Sequence, residues 1–419
     1  MTIMYKTVFI TLSLFLSVQL YGQSTNYNAL YMVDGNQEQY QYRSHVYLES
    51  LEPGSNATCA KGGVDLVLTY VRMSKTSGTS KDPSVRDLGI NSVLLAVEGS
   101  KVYSEECEYS SHVENADAVS CLGQGTFIDI VKGQFRLSRS GCSSIFAADG
   151  GRVRVTDAEL SVSASKCQGL RTEKGGTIEA TKLTGGTSSL VSPLFDVKGT
   201  VTAQKCRLSA DRWSIARIGG GKLELVDNEL KSNGLCGIIC SKSDESKAVV
   251  ELKKNKLQVS EGPLFMIDGA DIEITVEGNS INLKSTDLLV FENSPEDDSI
   301  MNPGCVILNV GKQKLKGNVT INAMSTLSIN LNKGSKLNSA VNADNVADSH
   351  IDVVMKNGSQ WEVCGDSYIS SLVFEKPVEK GVKQIKGKHT VYYDSSNPAN
   401  APLGGREYKT GGGGMLKPL

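Results

Sequence analysis

The chain has 419 residues, 42 of them glycine, with 6% aromatic residues and a net charge of −2. Near-balanced charge excludes an electrostatic footprint for nucleic acid or an anionic membrane, and the acidity is too slight for a disordered polyanion. Abundant glycine with few aromatics points to a β-rich chain with many tight corners and a narrow interior.

Residues 1–22 read as a secretory signal. Lys6 supplies the positive start, Val8 to Val18 is a short apolar run, and Gly22 offers a small residue before Gln23. The run is too short for a comfortable transmembrane helix, and no later stretch approaches the needed length. The expected location is therefore extracellular or on the cell surface. Residues 23–59, with Tyr27, Tyr31, Tyr40, Tyr42 and Tyr47, show no copy of the pattern that follows and read as a lead-in capping the body.

From about residue 60 a hydrophobic phrase recurs: two apolar residues flank a polar one, and a single apolar residue follows after a short gap. It reads Ile128-Asp129-Ile130 then Phe135, Val153-Arg154-Val155 then Leu160, Val201-Thr202-Ala203 then Leu208, and Leu223-Glu224-Leu225 then Leu230. It returns as Val250-Glu251-Leu252 then Leu257 and Ile274-Thr275-Val276 then Ile281, with weaker copies at Val102 and Ile178. The mean step is roughly 25 residues, in the range where self-similarity means a stacked solenoid. Apolar–polar alternation marks a strand with one buried face. A third strand, such as Ile145-Phe146-Ala147, precedes each Gly-Gly corner. No window shows helical spacing, which excludes a β-α-β solenoid. The predicted fold is all-β: a single-stranded right-handed parallel β-helix with three short strands per coil over residues 60–380, and an N-terminal capping segment.

Beyond Ile281 the acidic Glu296-Asp297-Asp298 loop interrupts the period, and shorter alternating strands continue it, among them Ile351-Asp352-Val353 and Trp361-Glu362-Val363. Residues 381–419 read as a terminal strand and a flexible glycine-rich tail. The ten cysteines are even in number, as export would favour, and none of their spacings makes a zinc site. Cys142 and Cys167 each lie nine residues before the second glycine of a Gly-Gly pair, hence at equivalent places on adjacent coils. Stacked strands lie about 4.8 Å apart, so the two are a candidate disulfide.

Gly358-Ser359-Gln360-Trp361-Glu362-Val363 followed by Gly365-Asp366-Ser367-Tyr368 and Ser371-Leu372 resembles a recurring segment of secreted bacterial right-handed parallel β-helix proteins of the adhesin-like type. The ending Tyr392-Tyr393-Asp394-Ser395-Ser396, Leu403-Gly404-Gly405 and the final glycine run resembles their terminal strand and tail, and Gly89-Ile90-Asn91-Ser92 their entry into regular coils. The resemblance implies a β-helix, export and a surface role; it carries no catalytic motif.

The polar residue between the paired apolar positions points outward on each coil. In order the column is Tyr103, Asp129, Arg154, Glu179, Thr202, Glu224, Glu251 and Thr275. Asp129, Arg154, Glu179, Glu224 and Glu251 are the candidate ligand-binding residues, for a polysaccharide or a Ca²⁺ ion; no other cofactor is expected. The competing reading is a solvated face with local ion pairs, Lys222, Lys253 and Arg152 being near enough to supply cations. The four histidines show no mutual spacing, and no nucleophile motif occurs. The expected function is a secreted, adhesin-like protein engaging glycans on a host or microbial surface. The alternatives are a polysaccharide lyase or glycoside hydrolase on the same scaffold, for which Glu224 and Glu251 would be the carboxylates, and a structural surface protein without a dedicated ligand.

Overall fold

The computed structural model describes residues 27–79, 84–243, 247–292 and 302–419. Residues 1–22, read above as a secretory signal, and the Glu296-Asp297-Asp298 loop lie outside them. The chain is a right-handed parallel β-helix of about 15 turns. Three parallel sheets form its faces. Sheet A has 12 strands, from Ala29–Asp34 to Asn318–Thr320, and sheet B has 14, from Tyr40–Ser44 to Ser371–Phe374. Sheet C has 10, from Tyr47–Ser50 to Ser280–Leu283. A four-stranded sheet starting at Lys314–Lys316 takes over the third face, and another four-stranded sheet closes the end.

Period-two alternation sets the register. Ile128 lies over Val153, which lies over Ile178, Val201, Leu223, Val250 and Ile274 in turn. One apolar cluster therefore runs continuously from Val33 to Leu416. Each such side chain contributes about 1.5–3 kcal/mol on burial, and a one-residue slip would turn a whole strand's apolar set to solvent. At the Gly150-Gly151 and Gly175-Gly176 corners the two glycines have different tasks. Gly150 and Gly175 take the left-handed φ of 91° and 73°. A Cβ on Gly151 or Gly176 would stand 2.1 Å or 2.0 Å from a backbone oxygen of an adjacent coil.

The corner between sheets B and C mostly uses other residues, with a left-handed glycine at Gly278, φ 64°. Glu106, Lys132, Asp157, Lys182, Lys205, Asp227 and Lys254 hold φ between 53° and 57° there. A left-handed conformation costs roughly 1–2 kcal/mol per non-glycine residue. Their amides bond to the next coil, as Lys132 does to Thr156 O at 2.9 Å and Asp157 to Thr181 O at 3.0 Å. The residue that follows each of them turns inward, and from Asn228 onward these residues form a ladder. Asn228 donates its backbone N–H and Nδ2 to Asn255 Oδ1, at 2.9 and 3.0 Å, and Asn255 does the same to Asn279 Oδ1 at 2.8 and 2.9 Å. Asn279 in turn donates to Gln313 Oε1 at 2.6 Å.

Both ends correct the sequence reading. The lead-in is itself a coil: its three strands pair in parallel with Asn56–Lys61, Asp65–Thr69 and Arg72–Lys75. Gln41 and Arg43 stand at the inward positions, over Leu66 and Leu68. Polar residues are tolerated there because, among the described residues, this coil has a neighbour on one side only, and Arg43 remains exposed. The glycine-rich tail is ordered: Tyr408–Lys409 and Met415–Pro418 form an antiparallel hairpin, and the latter pairs in parallel with Thr390–Tyr393. Gly412 and Gly414 are needed because a Cβ would fall 2.1 Å from Gly387 N and 2.2 Å from His389 O. Among the described residues no helix is long and apolar enough to cross a membrane.

Lys75 is fully buried beside the first coil. Its ammonium donates to Glu52 O and Ser55 O, both at 2.7 Å, and to Ser50 Oγ at 3.2 Å, pinning the corner at residues 50–55. Burial pushes its pKa down to about 8, against a smaller opposing pull from Glu52. The unfolded chain holds this proton up to about pH 10.4, so between about 8 and 10.4 unfolding takes up a proton and stability rises with pH. Against Lys75→Met, which lacks this titration, the wild-type chain should gain about 2–3 kcal/mol across that window. Parallel slopes of the two proteins in urea unfolding at pH 7, 8, 9 and 10 would contradict this.

Candidate functional site

The outward column has the register read from the sequence. Tyr103, Asp129, Arg154, Glu179, Thr202, Glu224, Glu251 and Thr275 are successive cross-strand partners on sheet B. The ladder is internally satisfied. Arg154 grips Asp129 with both branches of its guanidinium, Nε reaching Oδ1 at 2.9 Å, and lies 5.5 Å over the Phe127 ring. Glu179 pairs with Arg152 at 3.0 Å rather than with Arg154. Glu224 and Glu251 do stand side by side, closed into a box by two lysines. Lys222 reaches them at 3.2 and 3.0 Å; Lys253 reaches Glu224 at 3.6 Å and also bonds Glu251. The Lys253 hydrogen bond, with Lys222, holds Glu251 below the usual carboxylate range. That is the reverse of what a general acid needs. Among the described residues no three His, Cys, Asp or Glu side chains gather as a metal ion would need.

The predicted disulfide is not present. Cys142 and Cys167 do stack on adjacent coils, but all ten cysteines are free. Each of these two thiols donates to a carbonyl instead, Cys142 to Val113 O at 3.2 Å and Cys167 to Arg139 O at 3.1 Å. Cys142 N approaches Cys167 Sγ at 3.5 Å. The two thiols also hydrogen-bond each other, which holds the Cys142 pKa well above the ordinary thiol value and lowers that of Cys167. Burial pushes the Cys59 and Cys121 thiols up to about 12, so both rest protonated.

The same sheet face leads to a site that the sequence reading missed. The column continues from Thr275 through Asn309, Asn330, Val354 and Val373. The adjacent outward column runs Ile307, Ser328, Asp352, Ser371. Near the C-terminus the 3₁₀ segment Pro398–Leu403 and the loop after Val341 rise beside the sheet. They enclose two adjoining grooves of about 690 and 490 Å³ that share His350 and Asn397.

The groove is polar and mostly uncharged. Asn330 donates to Asn309 Oδ1 at 2.9 Å, and Asn309 to Glu273 at 2.9 Å, so the amides form a fixed row. Asp352 accepts from Ser371 Oγ and faces His350 Nε2 at 3.1 Å. Tyr368 on the groove wall stacks on Tyr392, ring centres 4.8 Å apart and 10° from parallel. The Ser396 hydroxyl and amide hold Asp394 below the usual carboxylate range. Ser371, Asp352 and His350 do not have the order of a hydroxyl–imidazole–carboxylate relay: hydroxyl and imidazole both meet the carboxylate, so the imidazole does not face the hydroxyl. One signal for this site was legible: in His350-Ile351-Asp352 the two polar residues are two apart on a strand, hence on one face. His112 and His45 lie elsewhere, the first bonding Ser138 at 2.7 Å and the second stacking on Tyr70.

Comparison of the chain with family models, curated proteins and solved structures finds no match. What the adhesin-like resemblance implied is upheld in the β-helix fold alone.

Proposed function

We propose that this chain is an exported rod that binds glycans, and that the groove around His350 is its principal contact surface. The observation that carries the reading is the row of fixed amides, hydroxyls and one imidazole beside a stacked tyrosine pair. Sugars offer what such a surface takes: hydroxyls for directional hydrogen bonds and an apolar ring face for an aromatic. Neighbouring coils add weaker contacts, and a rigid rod sums them by multivalency. Export rests on the pattern of residues 1–22. The carboxylates of the face are engaged by lysine, arginine, serine or histidine, which favours binding over hydrolysis or elimination.

A glycan array probed with the mature chain, with and without Ca²⁺, tests this. His350→Ala and Tyr368→Ala should each weaken the best hit tenfold or more, while Glu224→Gln with Glu251→Gln should leave it unchanged. Binding that depends on the glutamates and not on His350, or no glycan binding at all, would refute the assignment. Release of reducing ends or unsaturated products would favour the enzyme instead.

A further inference from the structure

The third face of the β-helix is interrupted at one place. Sheet C ends at Ser280–Leu283, which pairs only with Lys256–Val259. The next strand on that face, Lys314–Lys316, pairs only with Lys336–Asn338. Sheets A and B run across the same level without a break, through Phe265–Asp268 with Asp287–Phe291 and Asp271–Glu277 with Cys305–Gly311. Two strand edges therefore face each other across a cleft of about 830 Å³. The corner ladder marks the opening: its last rung is Gln313, one methylene longer than asparagine, whose Nε2 reaches back to Asn279 O at 3.0 Å.

The cleft has a patterned lining. Ile281 and Leu283 stand at inward positions, over Leu257 and Val259, yet are only half-buried because no strand covers them. Leu288 and Leu315 complete an apolar floor. The rim carries Lys284, Lys314, Lys316 and Lys336, none of them in an ion pair among the described residues, against the single carboxylate Glu362. Lys314 and Lys316 flank Leu315, pointing outward where it points inward.

We propose that this cleft binds an extended acidic peptide segment by strand addition. Main-chain hydrogen bonds to the open edges would supply affinity, as in other sheet-edge complexes. The side-chain pattern would supply selectivity: an apolar residue towards Ile281 and Leu315, with an acidic residue on either side facing Lys314 and Lys316. An alternating acidic–apolar strand fits, and a basic one is repelled. A polyanion without a strand-forming backbone would use the lysines and ignore the edges. This site is separate from the His350 groove and does not depend on it.

The probe is a fluorescein-labelled peptide of alternating glutamate and valine, followed by anisotropy with the full mature chain. Saturable binding is expected, weakened tenfold or more by Lys314→Glu with Lys316→Glu. Both lysines are exposed, so folding should be retained, as an unchanged melting curve would verify. N-methylation of alternate amides on the edge-facing side of the probe should weaken binding at least tenfold at constant charge. His350→Ala should leave binding intact, which separates this site from the glycan groove. Indifference to N-methylation, or equal displacement by polygalacturonate at matched charge, would overturn strand addition, as would equal binding of the lysine–valine peptide.

Discussion

Asn255→Leu should lower unfolding stability by about 3–5 kcal/mol, because a buried donor or acceptor left without its partner costs roughly 1–3 kcal/mol each. Asn255 is 1% exposed and serves both neighbouring coils. Its Oδ1 accepts from Asn228 N and Nδ2, and its own Nδ2 donates to Leu225 O at 2.8 Å. Leucine has a similar volume and can do none of this, so Asn228 N, Asn228 Nδ2, Leu225 O and Asn279 Oδ1 each lose a partner in a site closed to water. In a solenoid the loss falls on one interface between coils, so the unfolding transition should broaden as well as shift. Urea unfolding followed by circular dichroism, beside an Asn282→Ala control on the surface, measures both. A shift below about 1 kcal/mol would show that the ladder is not what secures this corner.

Trp361→Ala should be of similar size by a different route. Trp361 is fully buried, the largest such side chain in the protein, and lies between Leu337 and Ile385 on the third face. Its indole N–H donates to Ser339 O at 3.1 Å. Truncation leaves a cavity that rigid strands on either side cannot close, and tryptophan-to-alanine changes of this kind cost about 3–5 kcal/mol. Trp361→Phe keeps most of the volume and loses chiefly the hydrogen bond, for about 1 kcal/mol. Thermal melts of the three proteins separate packing from hydrogen bonding. Equal losses for alanine and phenylalanine would mean that filling the space is not what this residue does.

Trp361 thus belongs to the core, whereas Tyr368 lines the groove. Residues a few positions apart in sequence therefore serve different surroundings, and burial separates them.

The positions that were read correctly are those governed by period two. Asp129, Arg154 and Glu179 had to share a face once Ile128, Val153 and Ile178 shared the core. What failed were inferences about atoms rather than positions. Cys142 and Cys167 occupy matched places, and their thiols bond nearby carbonyls as well as each other. Glu224 and Glu251 are neighbours as expected, yet the two lysines that close the box determine what they can do. That the corner asparagines bond along the stack became visible only when the coils were superposed.

Sequence alone determined the winding, the inward and outward faces and the register over the regular coils, because a two-residue alternation repeated at a fixed step admits one consistent burial of its apolar side chains. It also contained the edges of that regularity, in the loss of the phrase after Ile281. Tertiary structure decided everything that depends on coils far apart in sequence meeting: the polar inward residues that close the first coil, the hairpin made by the final glycines, the groove around His350, and the cleft where the third face parts. Those features arise from distances between segments, of which the sequence carries at most a partial sign such as His350-Ile351-Asp352. A strand's own residues dictate which side faces the core, but not what the chain will bring alongside it.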